Sequence, residues 1–125
     1  MKEKDRDNAK SVLVVEDDRD ISEVVSFILE NEGYHVQTNC DGHLFPEDWK
    51  DRPSLILLDI WILDVNGGDI CDRFKHDPTL KDIPIIMMSA NRDLSVIAYN
   101  CKADDFLSKP FDIQLLIDKV ARLIA

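Results

Sequence analysis

Four short apolar runs in this chain each stop at residues that can do chemistry. Val12-Leu13-Val14-Val15 leads into Glu16-Asp17-Asp18, Leu55-Ile56-Leu57-Leu58 into Asp59, Ile85-Ile86-Met87-Met88 into Ser89-Ala90, and Phe106-Leu107-Ser108 into Lys109. An apolar strand gains no stability from a terminal charge, so the repeated pattern asks for a chemical reason. Taken singly, each residue has an ordinary one. Asp59 can form a turn, Asp18 can cap a helix, Ser89 can bond to backbone, and Lys109 can be a solvated surface lysine. Taken together at the ends of adjacent strands they supply carboxylates, a hydroxyl and an ammonium, and the functional reading outweighs the separate ordinary ones.

Three carboxylates crowded in a partly dry crevice repel one another by about 4 kcal/mol per pair at ~4 Å and an effective dielectric of about 20. A bound cation removes that conflict. All-oxygen ligands with room for water suit Mg²⁺, with Mn²⁺ as a substitute, whereas His35, His43 and His76 fall away from the strand ends and make zinc a poor fit. A carboxylate held beside such an ion and an ammonium is placed to attack phosphorus, because both cations stabilise charge on the transferring oxygens. Asp59 is the expected nucleophile. Lys109 is expected to pair with the phosphoryl group and the Ser89 hydroxyl to donate a hydrogen bond to it.

The elements that must position these groups follow from periodicity. Ile21, Val24, Val25, Ile28 and Leu29 form the stripe of a helix that Gly33 closes, with Asp18 serving mainly as its N-cap. Tyr34 to Thr38 reads as a short strand, followed by a turn at Asp41-Gly42. A short or distorted helix is expected between Gly42 and Pro53, where Pro46 would break a regular one. After Asp59 a loop runs through Asn66-Gly67-Gly68 into a helix marked by Ile70 and Phe74 and finished before Pro78. A further helix runs from about Asp93 to Cys101 on Leu94, Ile97 and Ala98. The last carries Ile113, Leu116, Ile117, Val120 and Leu123 or Ile124 behind an Asp112 cap. Strands alternating with helices predict an α/β fold, a single doubly wound domain with a parallel sheet between two helical layers. In such a sheet ligands bind beyond the carboxyl ends of the strands where strand order reverses. An order of 2-1-3-4-5 would bring Glu16, Asp17 and Asp59 together there.

With 125 residues, 45% of them apolar, the chain suits one domain with a sizeable core. Residues 1–10 are almost entirely polar and are expected to form a mobile tail, with the domain occupying residues 11–125. The net charge of −10 leaves no basic stripe for a phosphate backbone, so no direct nucleic-acid contact is expected. Cys40, Cys71 and Cys101 fit no ligand or disulfide pattern and read as reduced thiols. Neither a signal peptide nor an apolar run of ~20 residues is present, which points away from the membrane and to the cytoplasm.

The ordered set Leu13-Val14-Val15-Glu16-Asp17-Asp18, Leu57-Leu58-Asp59, Gly67, Met88-Ser89-Ala90, Ala103-Asp104-Asp105-Phe106 and Lys109-Pro110-Phe111 resembles the receiver domain of bacterial two-component response regulators. The resemblance runs from Val12 to the end and implies the flavodoxin-like fold with five parallel strands. It implies that Asp59 is the phosphoacceptor, taking its phosphoryl group from a phosphohistidine on a sensor histidine kinase or a histidine phosphotransfer protein. It further implies that Glu16, Asp17, Asp59 and the backbone carbonyl of Trp61 hold Mg²⁺, that Ser89, Ala90 and Lys109 bind the phosphoryl group, and that Ser89 and Phe106 are switch residues. The Lys109-Pro110 bond is similar to one that is cis in the family. The implied output is a population shift in which the loop after the fourth strand moves inward on Ser89, Phe106 follows, and a downstream protein binds the face of the fourth helix, fifth strand and fifth helix.

Several positions depart from the family pattern. Ile62-Leu63 replaces the usual Met-Pro after the acceptor, which suggests a less rigid loop. Lys102 stands where Gly is common, implying either a different turn or backbone strain. Phe106 replaces a more frequent tyrosine. Trp61 is bulky for its place and is expected to shield an acyl phosphate from water. Two other readings compete: a receiver-like binding module that is never phosphorylated, and an aspartyl-phosphate phosphatase. The phosphatase would need a second Asp two residues after Asp59, where Trp61 stands. The chain is therefore expected to be a signalling domain that at most catalyses its own phosphorylation and dephosphorylation.

Overall fold

The computed structural model describes residues 10–124. In chain order the elements are β1 (Ser11–Val15), α1 (Arg19–Asn31), β2 (His35–Asn39), β3 (Leu55–Asp59), β4 (Trp61–Ile62), β5 (Val65–Asn66), α2 (Gly67–His76), β6 (Ile85–Ser89), α3 (Leu94–Asn100), β7 (Asp105–Ser108) and α4 (Ile113–Ile124). Five strands make one sheet in the order β2-β1-β3-β6-β7, every neighbouring pair parallel. Leaving out the β4–β5 hairpin, this is the expected order 2-1-3-4-5 and a flavodoxin-like α/β fold. The tail expected over residues 1–10 lies outside the described residues except for Lys10, whose carbonyl accepts the His35 N–H at 2.9 Å.

Side-chain alternation along the strands explains why the apolar runs are unbroken. Leu13, Val15, Ile56, Leu58, Ile85 and Met87 point to the face covered by Ile70 and Phe74 of α2 and by Leu94 and Ala98 of α3. Val12, Val14, Leu55, Leu57, Ile86 and Met88 point to the other, covered by Val25 and Leu29 of α1 and by Leu116 and Val120 of α4. Both faces are dry, so no polar position interrupts the central strands. Val24 and Ile113, read from the sequence as part of the buried stripes, are instead more than half exposed.

Local signals set the element ends. Asp18 accepts the Ile21 N–H at 3.2 Å, and Asp112 accepts the Gln114 N–H at 2.7 Å. Asn66 does the same for Gly68 at 2.7 Å. Where a short helix was expected there is a single 3-10 turn, Pro46–Asp48, whose preceding Phe45 offers no side-chain cap. That segment is held by side chains instead, with Leu44 buried and the Trp49 ring 6.1 Å from Phe74. The loop after Asp59 is also more regular than expected. It folds into a hairpin pairing Trp61 with Asn66 and Ile62 with Val65. Lys102 adopts a left-handed backbone with φ 65°, the strained alternative for that turn. The Lys109-Pro110 bond is cis.

Candidate functional site

Strand register alone assembles the site. Val15 lies opposite Leu58, Asp59 opposite Met88, and Ser89 opposite Ser108. Glu16, Asp59, Ser89 and Lys109 therefore leave the sheet along one edge. The Lys109 N–H, donating to the Ser89 carbonyl at 2.9 Å, holds the last two strand ends together.

Side chains then converge across long stretches of sequence. Lys109 Nζ donates to Glu16 Oε1 at 2.5 Å and to Asp59 Oδ2 at 3.0 Å. Glu16 and Asp59 are only 2% and 8% exposed, so two carboxylates withdrawn from water share one ammonium. Burial pushes the Glu16 carboxyl from an ordinary 4.5 up to about 7; the Lys109 bond pulls the other way, and neighbouring Asp59 adds to the rise. For Lys109, burial works against the charged form, but its bonds to Glu16 and Asp59 outweigh that and hold the ammonium above its ordinary 10.5. Charge at the rim is thus out of balance, with more negative groups than Lys109 can neutralise.

Asp17 is the exposed member of the set. One oxygen each from Glu16, Asp17 and Asp59 lie within 4.8 Å of one another. Oxygens sharing one Mg²⁺ at 2.0–2.1 Å are separated by at most about 4.2 Å, so small side-chain rotations would close the set. The donors are all oxygen, the charge is in excess, and the Asp17 side is open to water, which together fit a hard divalent cation. Asp17 Oδ2 meanwhile accepts the Leu63 N–H at 2.9 Å.

The other expected residues stand at varied distances from this centre. The Ser89 hydroxyl accepts the Asn91 N–H at 3.0 Å, the ordinary strand-end bond, and its own proton stays free to donate. Ala90 is exposed and lines an apolar groove of about 540 Å³ with Ile21, Val24, Pro110, Phe111 and Ile113, which Lys109 borders. Trp61 begins the hairpin two residues past Asp59, its side chain 54% exposed. Phe106 lies outside the cluster and is 38% exposed, with Lys119 Nζ 5.5 Å over its ring. Asp105 clasps Lys119 at 2.9 Å and also Arg122, tying β7 to α4.

Two contributions were not legible beforehand. A Cβ added at Gly67 would stand 2.0 Å from the Asp59 carbonyl oxygen, so α2 starts against the end of β3 in a space only glycine can fill. Gly67 was recognisable as part of the motif, but not for this close approach. The bond from Leu63 to Asp17 had no signal in composition or spacing.

Comparisons with known proteins give the family and agree with the fold. The family model for the response regulator receiver domain matches residues 12–121. The DNA-binding dual master transcriptional regulator RpaA of Synechocystis sp. is 34% identical over 116 residues, covering 90% of this chain and 48% of that protein. Among solved structures, the signal receiver domain of a signal transduction histidine kinase from Syntrophus aciditrophicus is similar with a TM-score of 0.84 at 32% identity, covering 93% of this chain and 90% of that one. The receiver domain of NtrX from Brucella abortus has a TM-score of 0.79 at 32% identity, covering 90% and 97%. The chain spans about half the length of curated relatives such as RpaA, MtrA and CseB. Because such relatives are described as DNA-binding, the expectation of no nucleic-acid contact is unsupported and is withdrawn. Among the described residues no helix is long and apolar enough to cross a membrane.

Proposed function

We propose, from the premise that this chain belongs to the family of response regulator receiver domains, that Asp59 accepts a phosphoryl group from a phosphohistidine and that Glu16, Asp17 and Asp59 hold the Mg²⁺ this requires. The observation that carries the reading is the Lys109 ammonium bridging Glu16 and Asp59 beside an open carboxylate, Asp17. In the transfer an Asp59 oxygen forms a bond to phosphorus while the bond from phosphorus to the donor imidazole nitrogen breaks. The departing nitrogen keeps the electron pair. Bound Mg²⁺, with Mn²⁺ able to replace it, would neutralise charge on the transferring oxygens, with the Trp61 carbonyl as a further ligand. Lys109 already donates to Asp59 and is placed to follow the added charge. Ser89 has a free proton to give the phosphoryl group, and the Ala90 backbone lies beside it. The acyl phosphate is the end product of this step, since Trp61 stands where a phosphatase would need a second acid. The chain is thus a signalling domain rather than an enzyme acting on an external substrate.

The phosphodonor has to bring its histidine to this rim, and the apolar groove beside Lys109 is the surface on which a sensor histidine kinase or histidine phosphotransfer protein would rest. Val24 is 54% exposed there without supporting the core. Val24→Glu is expected to slow transfer from a phosphohistidine protein while leaving phosphorylation by acetyl phosphate unchanged; equal slowing of both would remove the docking role. The function itself is tested by adding Mg²⁺ with beryllofluoride and following tryptophan fluorescence. A saturable change that needs Mg²⁺ and is lost in Asp59→Ala is expected, and no change in the parent would count against phosphorylation.

A further inference from the structure

We infer that Cys71 and Cys101 are a latent disulfide pair, a site for oxidation by a peroxide that would tie α2 to the C-terminal end of α3. Their spacing in the sequence matches no disulfide pattern, yet the fold brings them together. Cys71 lies on α2 and Cys101 caps α3, 30 positions further along the chain. Both are free thiols inside the core, 0% and 6% exposed, whereas Cys40 is exposed.

The contacts are direct. The Cys71 thiol donates to the Cys101 carbonyl oxygen at 3.4 Å, and the Cys101 thiol reaches the Met87 sulfur on β6 at 3.4 Å and the Ala98 carbonyl oxygen at 3.6 Å. Burial pushes the Cys71 thiol above its ordinary 9.0, and the Cys101 thiol beside it adds to the rise. A disulfide needs the two sulfurs at about 2.05 Å and the Cα atoms within about 7 Å, so the remaining approach is a side-chain rotation with a small shift of α3. That helix can give way. It has 7 residues, buries only Leu94 and Ala98, has no side-chain cap at Asp93, and is followed by the left-handed Lys102.

The chemistry balances with hydrogen peroxide as the oxidant. Cys101, the less buried of the two, meets it first: its sulfur attacks one peroxide oxygen, the O–O bond breaks, and the other oxygen takes the thiol proton and leaves as water. Cys101 is then a sulfenic acid. The Cys71 sulfur attacks the Cys101 sulfur, the S–O bond breaks, and the hydroxyl leaves with the Cys71 proton as a second water. The two thiols give up two electrons and the peroxide accepts them. Because burial keeps Cys71 in its neutral form, the second step is slow. The cross-link would join the helix that starts against Asp59 to a helix of the face through which the proposed phosphorylation would signal. That consequence rests on the function proposed above; the disulfide itself does not.

The test exposes the whole folded chain to hydrogen peroxide, blocks the remaining thiols in denaturant and maps the peptides by mass. A monomer that has lost two hydrogens, with Cys71 joined to Cys101 and both restored by dithiothreitol, is the expected result. Finding both cysteines still open to blocking, a Met87 sulfoxide in place of the cross-link, or a disulfide made with Cys40 would overturn the inference. Amide exchange then reads the tie between the helices. The N–H groups of Cys101, Lys102 and Ala103, which bond to the carbonyls of Ile97, Tyr99 and Ala98, are expected to exchange roughly tenfold more slowly in the oxidised chain. A cross-linked chain in which they exchange at the parent's rate would overturn the restraint on α3.

Discussion

Glu16 carries the electrostatic conflict of the site on a single side chain. Its folded pKa of about 7 lies above its ordinary 4.5, chiefly because it is buried, so the folded protein holds a proton that the unfolded chain releases. The sign follows directly: the Glu16 contribution makes the metal-free protein lose stability as pH rises from about 4.5 to about 7, and level off above. Thermal melts across that range in EDTA are expected to show the decline, and Glu16→Gln to flatten it and to gain roughly 1 kcal/mol at pH 8, well short of a full burial cost because water reaches part of the rim. A parent whose stability rises over the same interval while Glu16→Gln tracks it would contradict the assignment. Mg²⁺ favours the ionised carboxylate, so its stabilising effect should grow with pH through the same window. Trp61, half exposed at the hairpin edge, gives a second residue-scale expectation. Trp61→Asn should hydrolyse its acyl phosphate faster than the parent, and an unchanged rate would show that the indole does not exclude water.

At the scale of elements, the strands were legible and the connections beyond β3 were not. Runs such as Leu55-Ile56-Leu57-Leu58 announce a strand buried on both faces, and alternation with helices restricts the topology to a parallel sheet. The acids at the strand ends follow from that topology, which is why Glu16, Asp17 and Asp59 could be grouped before any coordinates. Trp61-Ile62 and Val65-Asn66 are too short for periodicity to reveal a hairpin, and the left-handed Leu63 between them carries no turn signal. The Pro46–Asp48 turn similarly depends on Leu44 and Trp49 reaching the core rather than on local propensity. The start of α2 is the most exacting junction. Gly67→Ala would set a Cβ 2.0 Å from the Asp59 carbonyl oxygen, and a loss of about 2–4 kcal/mol is expected in urea unfolding. A loss below ~0.5 kcal/mol would show that α2 can shift away from β3 without cost.

For the whole molecule, the proposed function requires a small chemical change at the rim to alter a distant face. Moving a two-state balance from 1:99 to 99:1 takes about 5.5 kcal/mol, whereas one charge-assisted contact gives about 1.5–3 kcal/mol. Ser89, Lys109 and the metal set would therefore have to act together. On the proposed reading Phe106 would report that change, since it lies partly exposed on β7 under Lys119, while Asp105 beside it is bound to α4. All of this presupposes that Asp59 takes the phosphoryl group. The most direct measurement is mass mapping of the chain after incubation with acetyl phosphate and Mg²⁺. One added phosphoryl group on the peptide containing Asp59, absent with EDTA and absent in Asp59→Asn, is the predicted result. An unmodified chain, or a phosphoryl group that persists in Asp59→Asn, would contradict the account.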